Sequence, residues 1–385
     1  MSSIGAAPAA AAAAQGDIPR IGVGMLGYQF MGKAHSNAFK TLAYMTWPPP
    51  MLPELVALGG RNETAVAEAA ARYGFERFET DWRALVADPR IELFDNLAPN
   101  NLHAEPTIAA AEAGKHVICE KPLGRTADES LEIWRRVAAT GVKHLCAFNY
   151  RFVPAVRLAR EMLEAGELGE IHHFRGAYLQ DWIADPQAPV SWRLVGDEAG
   201  SGALGDIGTH VIDLARYLVG EIATVSAITK TFVRDRPGGT VSVDDAVESV
   251  VEFESGAVGT IEASRFAVGR KNGLRWEING SKGSIVFNME RMNELEYYNA
   301  DDPEDVRGFR VIQTTDNPHP YTVNYWPVGH IIGYEHTFIN FFHDVLNDFA
   351  AGRPTHPNFE DGLACQKVLD AVDRSSRNRT WEPAR

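Results

Sequence analysis

Between residues 18 and 148, short apolar runs alternate with segments of helical periodicity, and this alternation constrains the fold more than any other feature. Runs at 20–26, 54–58, 91–97, 115–119 and 143–148 read as strands. The segments 31–41, 63–73, 104–113 and 127–140 carry apolar residues at three-to-four spacing and read as helices. Gly74, Gly114 and Gly141 each follow the last periodic residue, where a left-handed helix C-cap takes glycine. Strands separated by helices cannot pair as hairpins; they lie parallel, with the helices as crossovers. The expectation is an α/β, Rossmann-type parallel sheet over 18–148. The proline-rich stretch from Trp47 to Pro53 forms a stiff surface connection within it.

After residue 149 the texture changes. A helix at 153–165 is followed by β-rich runs at 171–179, 224–233, 246–254, 257–264, 274–279 and 284–287. Glu254-Ser255-Gly256 and Gly280-Ser281-Lys282-Gly283 are hairpin turns between such runs, which implies antiparallel pairing. Helices return at 333–350 and 360–374. The second domain, 149–385, is expected to be α+β on a large open, mainly antiparallel sheet. Residues 1–17, mostly alanine and without the positive start of a signal peptide, read as a disordered leader.

The chain carries a net charge of −14, which argues against a nucleic-acid partner because phosphate contacts need a basic face. No apolar run reaches the roughly 20 residues of a membrane span. Cys119, Cys146 and Cys365 form no CxxC pair, and the first two lie in apolar runs as buried thiols. A reducing, cytoplasmic setting fits best. No His/Cys/Glu grouping has metal-ligand spacing, so no metal is expected.

A Gly-x-Gly-x-x-Gly match exists at Gly22, Gly24 and Gly27, but that register would put the turn inside the apolar run just after Pro19. The better register ends the strand at Leu26 and makes Gly27-Tyr28-Gln29-Phe30-Met31-Gly32 the phosphate loop. Gly27, Phe30 and Met31 are then candidate cofactor contacts. The second strand ends in Gly59-Gly60-Arg61 with no carboxylate for an adenosine ribose. An arginine there suits a 2′-phosphate, which tilts the choice between NAD and NADP towards NADP. Later strand ends offer Ala98, Pro99, His103 and Glu120, and in an open parallel sheet these ends face the ligand crevice. Lys121 sits at such an end, where a nicotinamide and its substrate would meet.

Asp206 and His210 are four residues apart, on one helix face near a helix start. The carboxylate is expected to orient the imidazole, and His210 to titrate near neutrality as a base for a hydroxyl. Lys121 would hold the oxygen as charge develops on it. Asp213 is expected to make a structural salt link, with Arg216 as its nearest candidate. An isolated Asp-x-x-x-His is more often a packed core histidine than a catalytic pair.

In order along the chain stand Gly-x-x-x-Met-Gly-x-x-His (Gly27 to His35), Glu120-Lys121-Pro122, Asn149-Tyr150-Arg151 and Asp206-x-Gly-x-His210-x-x-Asp213. This succession resembles the glucose-fructose oxidoreductase / inositol dehydrogenase / rhizopine catabolism family from Ile18 onward. The resemblance implies Lys121, Asp206 and His210 as the catalytic set, and assembly as a homodimer or homotetramer through the second domain's sheet. Gln29 and the missing acid before Arg61 depart from the commoner family pattern and bear on cofactor choice. The stretch Tyr178 to Pro186, Ser191-Trp192-Arg193 and Gly202 to Ile207 resemble the branch that oxidises anhydrosugars, inositols and glycosides. That implies oxidation of a pyranose ring hydroxyl, at carbon 3, to a keto-sugar.

Tyr178, Gln180, Asp181, Trp182 and Trp192 offer the flat faces and hydrogen-bonding groups that a polyol needs. Asn149, Arg151 and Arg193 are placed towards the cofactor, whereas His330, Tyr334 and His336 at the start of a late helix suit ordinary packing, with a closing contact over the pocket as the alternative. The expected activity is NAD(P)-dependent dehydrogenation of a sugar or polyol. The alternatives are a redox-assisted glycosidase or lyase, and a non-catalytic nucleotide-binding regulator.

Overall fold

The computed structural model describes residues 18–385, so the leader expected over 1–17 lies outside the described residues. Six strands form the first sheet: β1 (Arg20–Leu26), β2 (Leu52–Gly59), β3 (Arg77–Glu79), β4 (Leu93–Asn96), β5 (His116–Cys119) and β6 (His144–Cys146). Their order is β3-β2-β1-β4-β5-β6, and every pairing is parallel. The crossovers are α1 (Phe30–Met45), α2 (Glu63–Tyr73), α3 (Trp82–Ala87), α4 (Ala104–Glu112) and α5 (Ala127–Thr140). The strand order reverses between β1 and β4, the switch point where an open α/β sheet binds its ligand.

The helix stops follow the sequence. Gly74 and Gly141 close α2 and α5 with φ of 80° and 76°. Asn62 and Thr126 cap the same helices by accepting from the backbone N–H groups of Ala65 and Glu129. The expected strand at 54–58 starts two residues earlier. Pro53 sits at its very beginning, where a missing N–H is tolerated. The pair β3 and α3 has no counterpart among the sequence expectations; both are too short to show a period.

The chain leaves the first sheet through α6 (Pro154–Glu164) and builds a second from β7 (Ile171–Leu179). After the short α7 (Gly196–Ala199) comes a π-turn at Leu204–Gly208 that runs into α8 (Thr209–Leu218). Then follow β8 (Ile222–Lys230), the small hairpin β9 (Asp235–Arg236) and β10 (Gly239–Thr240), β11 (Ala246–Phe253), β12 (Val258–Ser264), β13 (Gly273–Gly280), β14 (Gly283–Asn288), β15 (Glu294–Asn299) and β16 (Arg310–Gln313). Helices α9 (Tyr334–Ala350) and α10 (Phe359–Asn378) and strand β17 (Glu382–Pro383) finish the chain. The nine-stranded order is β16-β15-β14-β13-β7-β12-β11-β8-β17. All its pairs are antiparallel except β7 with β12, which are not consecutive and meet through a crossover. The two hairpin turns read from sequence join β11 to β12 and β13 to β14.

What fixes the site is how the two sheets are tied together. One core runs from Phe94 and Val117 of the first sheet to Phe174 and Ile278 of the second. On the other face of the first sheet, Phe39 of α1 packs on Phe342 of α9 with ring centres 3.9 Å apart and planes tilted by 38°. Thus α9, far along the chain, packs against the very helix that opens after Gly27. Among the described residues no helix is long and apolar enough to cross a membrane. Cys119, Cys146 and Cys365 are all buried and free.

Candidate active site

At the β1–α1 turn Gly27 has φ of 112°, and a Cβ there would stand 2.6 Å from the Leu97 carbonyl oxygen. Gly32 is equally confined, its virtual Cβ 2.4 Å from the Gly27 oxygen. Gly22 and Gly24 lie within β1, so the chosen register of the loop is the one the fold adopts. Gln29, at the N-cap of α1, makes no side-chain capping bond. The first-turn N–H groups are left for an anionic ligand, and a dinucleotide pyrophosphate fits them.

This turn opens on a cleft of about 1040 Å³ between the two sheets. The expected cofactor contacts Gly27, Phe30, Met31, Arg61, Ala98, Pro99, His103, Glu120, Asn149 and Arg193 all line it. So do Lys121, Asp206, His210, Tyr178, Gln180, Trp182 and Trp192. Asp181 does not: its carboxylate accepts from the Gly269 N–H at 3.0 Å and from Lys271 Nζ at 2.8 Å, and it stays outside the cleft. Arg151 is also elsewhere, buried against Asp213 at 2.6 Å and Asp361 at 3.1 Å. Asp213 therefore pairs with Arg151 rather than with Arg216, whose guanidinium holds Glu221 at 2.7 Å. The His103 ring lies between the Pro122 and Ala98 carbonyl oxygens, at 2.8 and 3.0 Å, and pins two strand-end loops together. Tyr334 lines the cleft, but His330 and His336 do not.

Lys121 reaches across from the first sheet. Its Nζ donates to the Asp206 carbonyl oxygen at 2.8 Å and to Asp206 Oδ1 at 3.3 Å. The other carboxylate oxygen, Oδ2, accepts from Arg265 Nη2 at 2.7 Å. Burial alone would raise the Asp206 carboxyl, but Lys121, Arg265 and Arg193 outweigh it and hold it well below the ordinary carboxylate range. Asp206 lies in the π-turn and His210 in α8, so they straddle a junction instead of sharing one α-helical face. This corrects the expectation that Asp206 orients the imidazole, for both its oxygens go to cations.

His210 instead lies among aromatic rings, Tyr150 at 4.5 Å and Tyr178 at 6.0 Å between centres. Burial, and then the Lys121 charge, push its pKa well below the ordinary 6.5, so it is neutral at physiological pH. A neutral imidazole accepts a proton, and the acid limb of kcat/KM is accordingly expected below pH 6.5. A limb centred at or above that value would show that His210 is not the group being titrated.

Beside His210 runs a chain of hydroxyl and amide groups. Tyr150 and Tyr178 hydroxyls are 2.8 Å apart, Tyr178 donates to Asn272 Oδ1 at 2.6 Å, and Gln180 Nε2 donates to the same oxygen at 3.1 Å. Asn272, Lys271 and Arg265 are cleft residues that sequence reasoning missed. Arg265 had a signal. Gly259, Ile261 and Ala263 of β12 face inward, and the same two-residue parity carries a charged side chain to the core face at 265.

Beneath the cleft, His35 of α1 touches Asp95 at 2.9 Å and Glu120 at 3.5 Å. Glu120 in turn accepts from the Lys121 N–H at 3.1 Å. Burial pulls the imidazole down, but Asp95 and Glu120 outweigh it and raise it to about 9. A raised histidine stabilises the fold fully below its unfolded value of 6.5, and that contribution is lost as pH climbs through about 9. Thermal midpoints of the protein are expected to fall over this window, and His35→Gln to remove the fall. An equal slope in the variant would assign it to other groups.

A glycine turn at a helix start, opening on a cleft that also holds a lysine and a neutral histidine, is the equipment of a dinucleotide-dependent oxidoreductase. Residues 21–148 match the family model described as "Oxidoreductase family, NAD-binding Rossmann fold", and 156–286 match the GFO/IDH/MocA C-terminal domain. The chain belongs to the GFO/IDH/MocA oxidoreductase family. It is 46% identical to a levoglucosan dehydrogenase of Pseudarthrobacter phenanthrenivorans, over 94% of this chain and 97% of that protein. It is 26% identical to an inositol 2-dehydrogenase of Rhizobium meliloti, over 91% of this chain and 96% of the relative. Among solved structures, levoglucosan dehydrogenase in complex with NADH and levoglucosan superposes with a TM-score of 0.93 at 48% identity, covering 95% of this chain and 99% of the other. NAD is the cofactor the family description names, and the tilt towards NADP drawn from Arg61 finds no support.

Proposed function

We propose that this chain oxidises a ring hydroxyl of an anhydrosugar of the levoglucosan type to a ketone, with NAD as the oxidant. The observation that carries the reading is the meeting, in one cleft, of Lys121 from the first sheet with Asp206 and neutral His210 from the second. Likeness along nearly the whole chain to a levoglucosan dehydrogenase supports the substrate class. In this reading Gly27, Phe30, Met31, Ala98 and Asn149, all lining the cleft, would hold the dinucleotide, which supplies the hydride acceptor when bound. His210 takes the hydroxyl proton. Lys121 directs an N–H at the same oxygen as negative charge builds there, and Asp206 keeps that ammonium in place. Tyr178, Gln180 and Asn272 meet the remaining hydroxyls, and Trp182 and Trp192 offer flat faces to the ring. Asp181, held by Lys271, has no part in this set.

Assembly as a homodimer or homotetramer belongs to the same reading. Ile228, Val250 and Val258 are exposed on adjacent strands of the second sheet, and sedimentation would show whether that face is covered by a second copy. The buried, unpaired cysteines suit a cytoplasmic setting.

The test is a panel of anhydrosugars, inositols, glucosides and free sugars with NAD and with NADP, read as reduced cofactor at 340 nm. Fastest turnover is expected with levoglucosan and NAD. Consumption of substrate without net reduced cofactor would sink the dehydrogenase reading.

A further inference from the structure

We propose that Arg265 is a positioning residue for this reaction, holding Asp206 so that Lys121 keeps one N–H for the substrate oxygen. The inference rests on the roles given above to Lys121, Asp206 and His210. An ammonium has three donors. Two of those on Lys121 go to Asp206, one to its carbonyl oxygen at 2.8 Å and one to Oδ1 at 3.3 Å. Only the third remains for an alcohol. Arg265 occupies Oδ2 at 2.7 Å, so each carboxylate oxygen faces a single cation.

The guanidinium is built into the cleft wall. Arg265 is 1% exposed, its Nη1 approaches the Arg193 carbonyl oxygen at 3.5 Å, and it lies 5.2 Å from the centre of the Trp182 ring. Its backbone N–H donates to the Asp245 carbonyl oxygen at 3.0 Å, which fixes where the side chain starts. The guanidinium gives the carboxylate one N–H, from Nη2 to Oδ2 at 2.7 Å, while Nη1 rests near the Arg193 carbonyl oxygen, a span that a lysine's single nitrogen would not bridge. Without Arg265, Oδ2 has no cation hydrogen-bonded to it. The carboxylate then turns towards Lys121, and the third N–H is drawn into the ion pair and away from the substrate. The defect falls mainly on the chemical step: the α1 turn and the Tyr178–Asn272 chain do not depend on this guanidinium, and its contacts to the Trp182 ring and the Arg193 carbonyl are its weaker ones.

The experiment compares wild type, Arg265→Ala and Arg265→Lys with levoglucosan and NAD, measuring kcat, KM and the NADH dissociation constant. In the alanine variant kcat is expected to fall roughly ten- to a hundredfold, the worth of one charge-assisted hydrogen bond. NADH affinity should stay within about twofold, and KM should change by less than kcat. Guanidinium ion at millimolar concentration should restore at least about tenfold of the lost rate in Arg265→Ala and none in a His210→Ala control. An alanine variant with wild-type kcat, or one that binds NADH normally but ignores guanidinium, overturns the proposal while leaving the dehydrogenase reading intact. Should the alanine variant not bind NADH, the lysine variant decides: reduced kcat at unchanged KM supports the role, and wild-type kcat overturns it. A wild type that reduces no NAD with any sugar removes the reading on which the proposal rests.

Discussion

Replacing His210 by alanine is expected to lower kcat by roughly 10²–10⁴-fold, the contribution of a positioned general base, with NADH affinity unchanged. The imidazole sits 7% exposed beside the Tyr150 ring, and burial together with Lys121 keeps it unprotonated at neutral pH. It can therefore accept a proton without first losing one. Among the described residues no other neutral base stands in the same place. Tyr150 and Tyr178 are both pushed up by burial, and Asp206 is held ionised but occupied by two cations. The variant should also lose the acid limb of the pH profile. Stopped-flow and steady-state rates, with NADH fluorescence as the check on binding, decide the matter. A fall of only about threefold would place the base elsewhere.

Replacing Arg151 by methionine is expected to remove about 3–5 kcal/mol of stability, the cost of breaking a buried ion pair by taking one partner away. Arg151 Nε lies 3.0 Å from Asp213 Oδ2, and its Nη2 lies 2.6 Å from Asp213 Oδ1 and 3.1 Å from Asp361 Oδ1. Burial pushes the Asp213 carboxyl above its ordinary range even with the guanidinium present. Without it the carboxyl is driven further up and takes a proton. The pH dependence follows from that sign. A carboxyl raised in the folded state favours folding less as pH rises above its unfolded value, so the variant should recover stability towards mildly acidic pH. Denaturant unfolding at neutral and acidic pH tests both parts. A loss that does not shrink on acidification would mean that Asp213 is not the group left stranded.

The first sheet was legible because helices and strands of ordinary length carry a period. Helices 63–73 and 127–140 end where their glycines place them, and β1 ends at Leu26 as the loop register requires. Most pieces that escaped are short, β3 with three residues and β16 with four; β15, six residues long, escaped as well, because its buried residues Leu295 and Tyr297 stand among polar ones. Side-chain partnerships were read less well, because sequence shows near neighbours and folding supplies far ones. The nearest cation to Asp213 in sequence is Arg216, three residues on, whereas its partner Arg151 arrives from 62 residues away. Asp206 likewise has His210 four residues on, while its cations come from 85 and 59 residues away. Asp181 carried the right chemistry for a sugar, yet Lys271, brought in by β13's approach, holds it outside the cleft.

Lys121 and Asp206 belong to opposite walls of the cleft, so their ion pair works as a rivet between the two halves of the molecule. Any breathing that parts the walls also disarms the chemistry, since the ammonium leaves its carboxylate and the imidazole together. Such a chain is expected to lose turnover before it unfolds, so that activity measured on gentle warming would gauge how tightly the halves are closed.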